Sequence, residues 1–205
     1  MKTDEVTNLL NGVQSAEIQA NLLAELLTGA ATHASTDKSL SVLNGVMLNA
    51  TGGHMIAKAT DRYRLIEGNL TSGVTGELFS TFISLDDIKK LISFAKENKN
   101  MPITLSKVND LLSVSVLGNS ITIRTDLTGG NFPDFSKFTG KPKVIERQDS
   151  LTINPTYFAD LAKIAGKGKS VTIYLGAQAL KPVYCEINSD PISWISVIMP
   201  MKASN

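Results

Sequence analysis

Cysteine is almost missing from this chain: Cys185 is the only one in 205 residues. An internal disulfide is therefore excluded. With His33 and His54 as the only imidazoles, a structural zinc site built from Cys and His is disfavoured as well. Neither sign of charge is in excess, since 20 Lys and Arg stand against 19 Asp and Glu for a formal net charge of +1. That total does not indicate a strongly basic nucleic-acid binder, although it is compatible with a local basic face. There is no run of 18 apolar residues, and the opening Met1-Lys2-Thr3-Asp4-Glu5 lacks the apolar centre of a signal peptide. The expectation is a soluble, cytoplasmic protein with no membrane association.

Signatures of chemistry are also absent. Gly166-Lys167-Gly168-Lys169-Ser170 suggests a phosphate loop, but the first glycine of that motif would fall at Lys163. The segment also follows a helical pattern and precedes an extended one, the reverse of the order that aims a helix N-terminus at phosphate. It reads as a solvated basic turn. Asp86-Asp87 reads as helix-start electrostatics rather than a catalytic pair. Cys185 sits in an alternating apolar segment with no base nearby, as a packed thiol would. His33 and His54 have no ligand partners close in sequence and are expected at the surface or at a helix end. No Ser-His-Asp, metal or dinucleotide pattern appears, so no catalytic residue, metal or cofactor is expected, and a hydrolase or nuclease has no converging carboxylates to support it.

Hydrophobic residues make up 42% of the chain, enough for a substantial core in one or two domains. Ile18, Leu22, Leu26 and Ala30 recur every four residues, with Leu23 and Leu27 widening the stripe. This predicts a helix over residues 17–34 capped by Ser15. Extended segments follow at residues 40–50, 54–59 and 64–70, with Thr51-Gly52-Gly53 as a turn. The pattern then restarts with an extended segment at 79–83 and a helix capped by Ser84, whose stripe is Leu85, Ile88, Ile92 and Ala95. Strands are expected at 103–106, 111–117 and 120–125. After a Gly-, Pro- and Lys-rich loop at 129–143 comes a third round. It has an extended segment at 144–153 and a helix opened by Asn154-Pro155 and closed by Gly166, with Phe158, Leu161, Ala162 and Ala165 inward. Strands at 171–174, 183–187 and 194–198 complete it. The chain thus reads as three β-α-β-β-β units in an α+β fold, with helices on one face of antiparallel sheets.

The junction Lys58-Ala59-Thr60-Asp61-Arg62-Tyr63-Arg64-Leu65-Ile66-Glu67 reads by itself as a charged bend between two strands. Lysines gather elsewhere. Lys89 and Lys96 lie opposite the apolar stripe of the second helix with Lys99 nearby, and Lys163, Lys167 and Lys169 belong to the end of the third. Such faces are usually only solvated, but they also suit loose contact with phosphates. The first helix contributes no Lys or Arg.

Three motifs, in this order, resemble the sliding clamp of bacterial replication, the β subunit of DNA polymerase III. Leu43-Asn44-Gly45-Val46-Met47-Leu48 leads into Ala59-Thr60-Asp61-Arg62-Tyr63-Arg64-Leu65, which is similar to that family's A-T-D-G-H/Y-R-L. Gly130-Asn131-Phe132-Pro133-Asp134-Phe135 is similar to G-x-F-P-D-Y, and Val197-Ile198-Met199-Pro200-Met201-Lys202 to Y-x-x-M-P-M-R. Arg62 stands where the family pattern has glycine, and Lys202 where it has arginine. The resemblance implies residues 1–138 as a clamp domain like the middle domain, with units at about 1–72 and 75–128. Residues 143–205 would be a single unit like the second half of the last domain. A reduced clamp of this size suggests a phage or other mobile element.

Further expectations follow from the resemblance. The protein would be a non-catalytic homo-oligomeric ring around double-stranded DNA, serving a DNA polymerase and other clamp-binding peptides, with a clamp loader. The alternative is a clamp-fold module that binds the same peptides without encircling DNA. If the ring keeps the family's twelve units, three per chain require four chains, or the odd half-domain is completed across a two-fold interface. The implied peptide groove has Leu43, Thr60, Arg62, Tyr63, Arg64 and Leu65 on one wall and Val197, Met199, Pro200, Met201 and Lys202 on the other. Lys89, Lys96, Lys99, Lys163, Lys167 and Lys169 would face DNA.

Overall fold

The computed structural model describes residues 13–125, 130–140, 151–175 and 181–201. The first unit runs β1 (Gln14–Gln19), α1 (Ala20–Ala31), β2 (Gly45–Thr51), β3 (His54–Thr60) and β4 (Arg64–Leu70). The second runs β5 (Val74–Ser84), α2 (Leu85–Glu97), β6 (Pro102–Val108), β7 (Leu111–Val116) and β8 (Asn119–Arg124). The third contributes α3 (Pro155–Ala165), β9 (Val171–Tyr174), β10 (Val183–Ser189) and β11 (Ile192–Ile198). Among the described residues eleven strands join in the order β8-β7-β6-β1-β5-β2-β3-β4-β11-β10-β9, and each of these pairings is antiparallel. The fold is α+β, as expected from the repeat. Among the described residues no helix is long and apolar enough to cross a membrane.

The first helix begins later than its periodicity predicts. Residues 14–19 form β1, so Ser15 caps nothing, and Gln19 precedes the helix without a side-chain cap. Ala16 and Ile18 are buried while Ser15, Glu17 and Gln19 are exposed, a strand alternation. Ile18 fits the four-residue spacing of the helix only because both periods place a residue there. The strand is held by partners distant in sequence, since β1 lies between β5 and β6 with Ala16 opposite both Gly76 and Leu105. Residues 40–44, expected extended, instead form the turn that enters β2, with Asn44 N–H donating to the Leu40 carbonyl. Residues 151–154 carry no strand, and the rest of the expected segment 144–153 lies outside the described residues.

The caps of the other helices follow the sequence. Ser84 Oγ accepts from Asp87 N–H, and Asn154 Oδ1 accepts from Thr156 N–H with Pro155 opening the helix. Gly166 closes α3 at φ 80°. Asp86 and Asp87 sit at the positive end of α2, where Asp86 also meets Lys38 at 2.9 Å.

The core runs between the helices and the sheet. At its centre Trp194 of β11 fills a slot walled by Gly29 of α1 and Gly68 of β4, where a Cβ at either glycine would run into the indole. This ring keys the third unit into the first. Cys185 is buried, and burial pushes its thiol up to about 12, so it is a packing residue. His33 departs from the expectation of a surface position, because it is fully buried just beyond α1.

Candidate functional site

The turn between β3 and β4 is tied to itself. Asp61 Oδ1 accepts from the backbone N–H of Tyr63 and of Arg64, each at 3.0 Å, and Thr60 Oγ1 donates to the Arg64 carbonyl at 2.7 Å. Arg62 at its apex has φ 81°, a left-handed backbone that favours glycine. The glycine in the resembled motif therefore has a physical reason, and Arg62 keeps the conformation without it.

β11 lies beside β4 with Val197 opposite Leu65 and Ile198 opposite Arg64. Beyond the strand, Met199 N–H donates to the Tyr63 carbonyl at 2.8 Å. The two stretches that resemble clamp motifs are thus bonded directly to each other. They border a cavity of about 220 Å³, lined on one side by Leu43, Thr60, Arg62, Tyr63, Arg64 and Leu65 and on the other by Val197 and Met199. Tyr63 and Met199 are 63% and 42% exposed, so apolar surface at the cavity rim is open to solvent.

The structure adds a third wall that the sequence reading did not assign: Pro133, Asp134, Phe135 and Phe138, with Pro182 beside them. Phe135 is buried against Leu65, Tyr184 and Val197, and Phe132 bridges it to Phe82 with ring centroids 5.3 and 6.1 Å away. The signal was present in the Gly130–Phe135 motif, but nothing local says where that loop folds back. Pro200 and Met201 do not line the cavity. Met201 N–H turns away to the Thr152 carbonyl at 2.8 Å, and Lys202 lies outside the described residues.

Arg64 has its back to this cavity and its head in the protein. Its guanidinium donates to Asp61 at 2.9 Å, to Asp160 of α3 at 2.8 Å and to the Thr32 carbonyl at 2.7 Å, and it stacks on Tyr157 at 4.4 Å. Burial pushes the Asp160 carboxyl up, but hydrogen bonds from Lys163 and Arg64 outweigh it and leave the group lowered. Arg64, one of the residues lining the cavity, thereby also clamps α3 to the first unit.

The lysines do not gather as one cluster. Lys96, Lys99 and Lys163 border a wider hollow of about 580 Å³ on the helix side, shared with Asn21, Glu25 and Thr28 of α1 and with Trp194, whose indole N–H has no partner among the described residues. Lys163 is partly neutralised by Asp160 at 2.9 Å. Lys89 lies outside the hollow, 3.6 Å from Asp86, and Lys167 and Lys169 are exposed in the turn after α3. Among the described residues no group of three or more His, Cys, Asp or Glu is placed to hold a metal ion.

Residues 17–134 match the family of the DNA polymerase III beta subunit, central domain. The beta sliding clamp homolog GriR of Streptomyces muensis is 32% identical over 127 residues, covering 60% of this chain and 33% of that protein. Among solved structures, the DNA polymerase III beta subunit of Thermotoga maritima superposes with a TM-score of 0.76 at 16% identity, over 93% of this chain and 66% of that one. The Pseudomonas aeruginosa sliding clamp bound to griselimycin gives 0.72 at 15%, over 92% and 65%. The chain therefore spans a third of the curated relative and about two thirds of these solved clamps.

Proposed function

Since the chain belongs to the DNA polymerase III beta subunit family through that family's central domain, we propose that it acts as a sliding clamp, a ring-forming processivity factor without catalysis of its own. Residues 1–138 form the clamp domain in this reading, and residues 143–205 form a single further unit. The ring holds double-stranded DNA by enclosing it, so weak phosphate contacts suffice and the near-neutral charge is no obstacle. Lys96, Lys99 and Lys163 are the cations best placed for that contact, because they border one hollow on the helix side. Partners, a DNA polymerase first among them, dock short apolar and aromatic peptides into the cavity between the β3–β4 turn and Met199.

The observation that carries this reading is the hydrogen bond from Met199 to the Tyr63 carbonyl, which draws two separate motifs into one open apolar groove. Met199 gives that groove an adaptable wall, and the exposed Tyr63 ring offers a stacking edge. The test is fluorescence anisotropy of a labelled Leu- and Phe-containing peptide, with griselimycin as competitor. Saturable binding displaced by griselimycin supports the reading, and no binding at high micromolar protein refutes it.

A second reading is a clamp-fold module that binds partner peptides without encircling DNA. It is favoured by α1, which contributes Glu25 and no Lys or Arg to the hollow. Retention on circular DNA that is lost on linearisation supports the ring, and equal behaviour on both supports the module.

A further inference from the structure

We propose that the third unit pairs with the third unit of a second copy of this chain, α3 against α3 about a two-fold axis, beside the edge of β9 that no described strand occupies. The proposal concerns a different face from the groove and does not depend on the groove's occupant.

The first two units show how a unit is completed. Each lends its first strand to the other: β5 docks beside β2, the strand after α1, and β1 docks beside β6, the strand after α2. α1 and α2 then pack side by side. In the third unit the strand after the helix is β9, and it pairs with β10 alone among the described strands. No described strand fills the edge here that another unit's strand fills twice elsewhere.

The helices record the same difference. Counting from the residues that precede them, Gln19, Ser84 and Asn154, the seventh positions are Leu26, Leu91 and Leu161, all no more than 1% exposed. These face the sheet in every unit. The fourth positions are Leu23, Ile88 and Phe158, which are 0%, 1% and 38% exposed. The eighth, Leu27, Ile92 and Ala162, pass from buried through half-buried to exposed. The positions that meet a neighbouring helix are covered in the paired units and bare in the third. Phe158 and Ala162, expected inward from the apolar stripe, are instead exposed, because that stripe is wider than the described chain covers.

The opposite side of α3 is already used, because Tyr157 and Asp160 turn toward Arg64 of the first unit. The bare side therefore lies away from the first unit's Arg64. Phe158 and Ala162, with Ile173 of β9, are uncharged and exposed, so the centre of two such faces meets without opposing like charges. A second copy is the occupant that fits, since a unit of the same kind covers the equivalent face within the chain, and a two-fold contact sets the same patch against itself.

Sedimentation velocity on the full chain tests this over about 1 to 100 µM, a range in which a modest interface titrates. The expected result is a species of twice the chain mass. Phe158→Asp should raise its dissociation constant by at least about tenfold, as for a central apolar anchor, with unchanged peptide binding and circular dichroism. Under added oxidant, Ala162→Cys should link to the same residue of a second copy, which only a two-fold contact permits, and buried Cys185 should not compete. Leu117→Asp, beside the opposite edge strand β8 and 82% exposed, should leave the pair intact. A monomer throughout, a pair indifferent to Phe158→Asp, a pair lost with Leu117→Asp, or a pair in which Ala162→Cys does not crosslink would each overturn the proposal. Peptide binding in the same samples keeps this outcome separate from that of the groove.

Discussion

His33 Nε2 and Ser196 Oγ stand 2.9 Å apart, joining positions separated by 163 residues. On the other side of the ring, His33 Nδ1 meets Thr32 Oγ1 at 2.8 Å. The single hydroxyl proton of Thr32 goes to the Gly29 carbonyl at 2.7 Å, so Nδ1 donates and Nε2 accepts from Ser196. Burial, and after it the Arg64 cation, lowers the imidazole to about 3. Above about pH 6.5 both the folded and the unfolded chain hold it neutral. Below that only the unfolded chain takes the proton, so stability falls with pH through the window from 6.5 towards 3, at about 1.4 kcal/mol per pH unit. Urea midpoints of the protein and of His33→Gln, compared between pH 6.5 and 4.5, should show a slope that the variant lacks. Parallel slopes would remove His33 as its source.

Arg62 should be replaceable to advantage. Its φ of 81° is disfavoured for any residue with a Cβ, and it is exposed, so little contact is lost. Arg62→Gly is expected to raise stability by about 1 kcal/mol at most, because the added freedom of the unfolded chain offsets part of the relieved strain. A lower melting temperature would mean that its side chain makes contacts worth more than that strain.

Gly68→Ala should act in the opposite direction. The added methyl meets the Trp194 ring, which is held from the other side by Gly29. Overpacking of this kind costs about 1–3 kcal/mol. Trp194 fluorescence should shift along with the unfolding midpoint, and a neutral variant would mean that the slot is looser than its geometry.

In the groove, Met199→Ala should weaken the labelled peptide by about tenfold or more, the effect of removing an apolar anchor, without changing the melting temperature. Met201→Ala should do much less, since Met201 lies off the groove lining. Equal effects of the two would place the peptide further along the chain end than the cavity extends.

Reversing Lys96, Lys99 and Lys163 to glutamate should weaken DNA retention more at low salt than at high salt, as loss of phosphate contacts requires. Lys89→Glu, at a residue outside the hollow, is the comparison. Loss that is independent of salt would point to disruption of the fold instead.

The sequence carried the second and third helices almost to the residue, because Ser84, Asn154-Pro155 and Gly166 are local signals acting within one turn. β1 was not legible, since its last three residues were absorbed into the helix period and its partners lie 56 to 93 positions downstream. Of the residues named by resemblance, Leu43, Thr60, Arg62, Tyr63, Arg64, Leu65, Val197 and Met199 line the cavity, whereas Pro200 and Met201 do not. Phe135 and Phe138 could not be read, because a loop's return to the sheet is set by what it packs against rather than by its own pattern. Lys202 lies outside the described residues, so that part of the expected wall has no position here.

The exchange of β1 and β5 also bears on how the chain assembles during synthesis. β1 is made first, yet it has no neighbour within its own unit and stays unpaired until β5 and β6 have followed. A ribosome-bound fragment ending near residue 72 holds one strand without a sheet, and the second unit alone lacks the strand that lies beside β6. Pairings at such separation make for slow folding and for exposed edges along the way. The two units should therefore fold as one cooperative block in a single late step, and a chain cut between β4 and β5 should need both pieces present before either becomes resistant to protease.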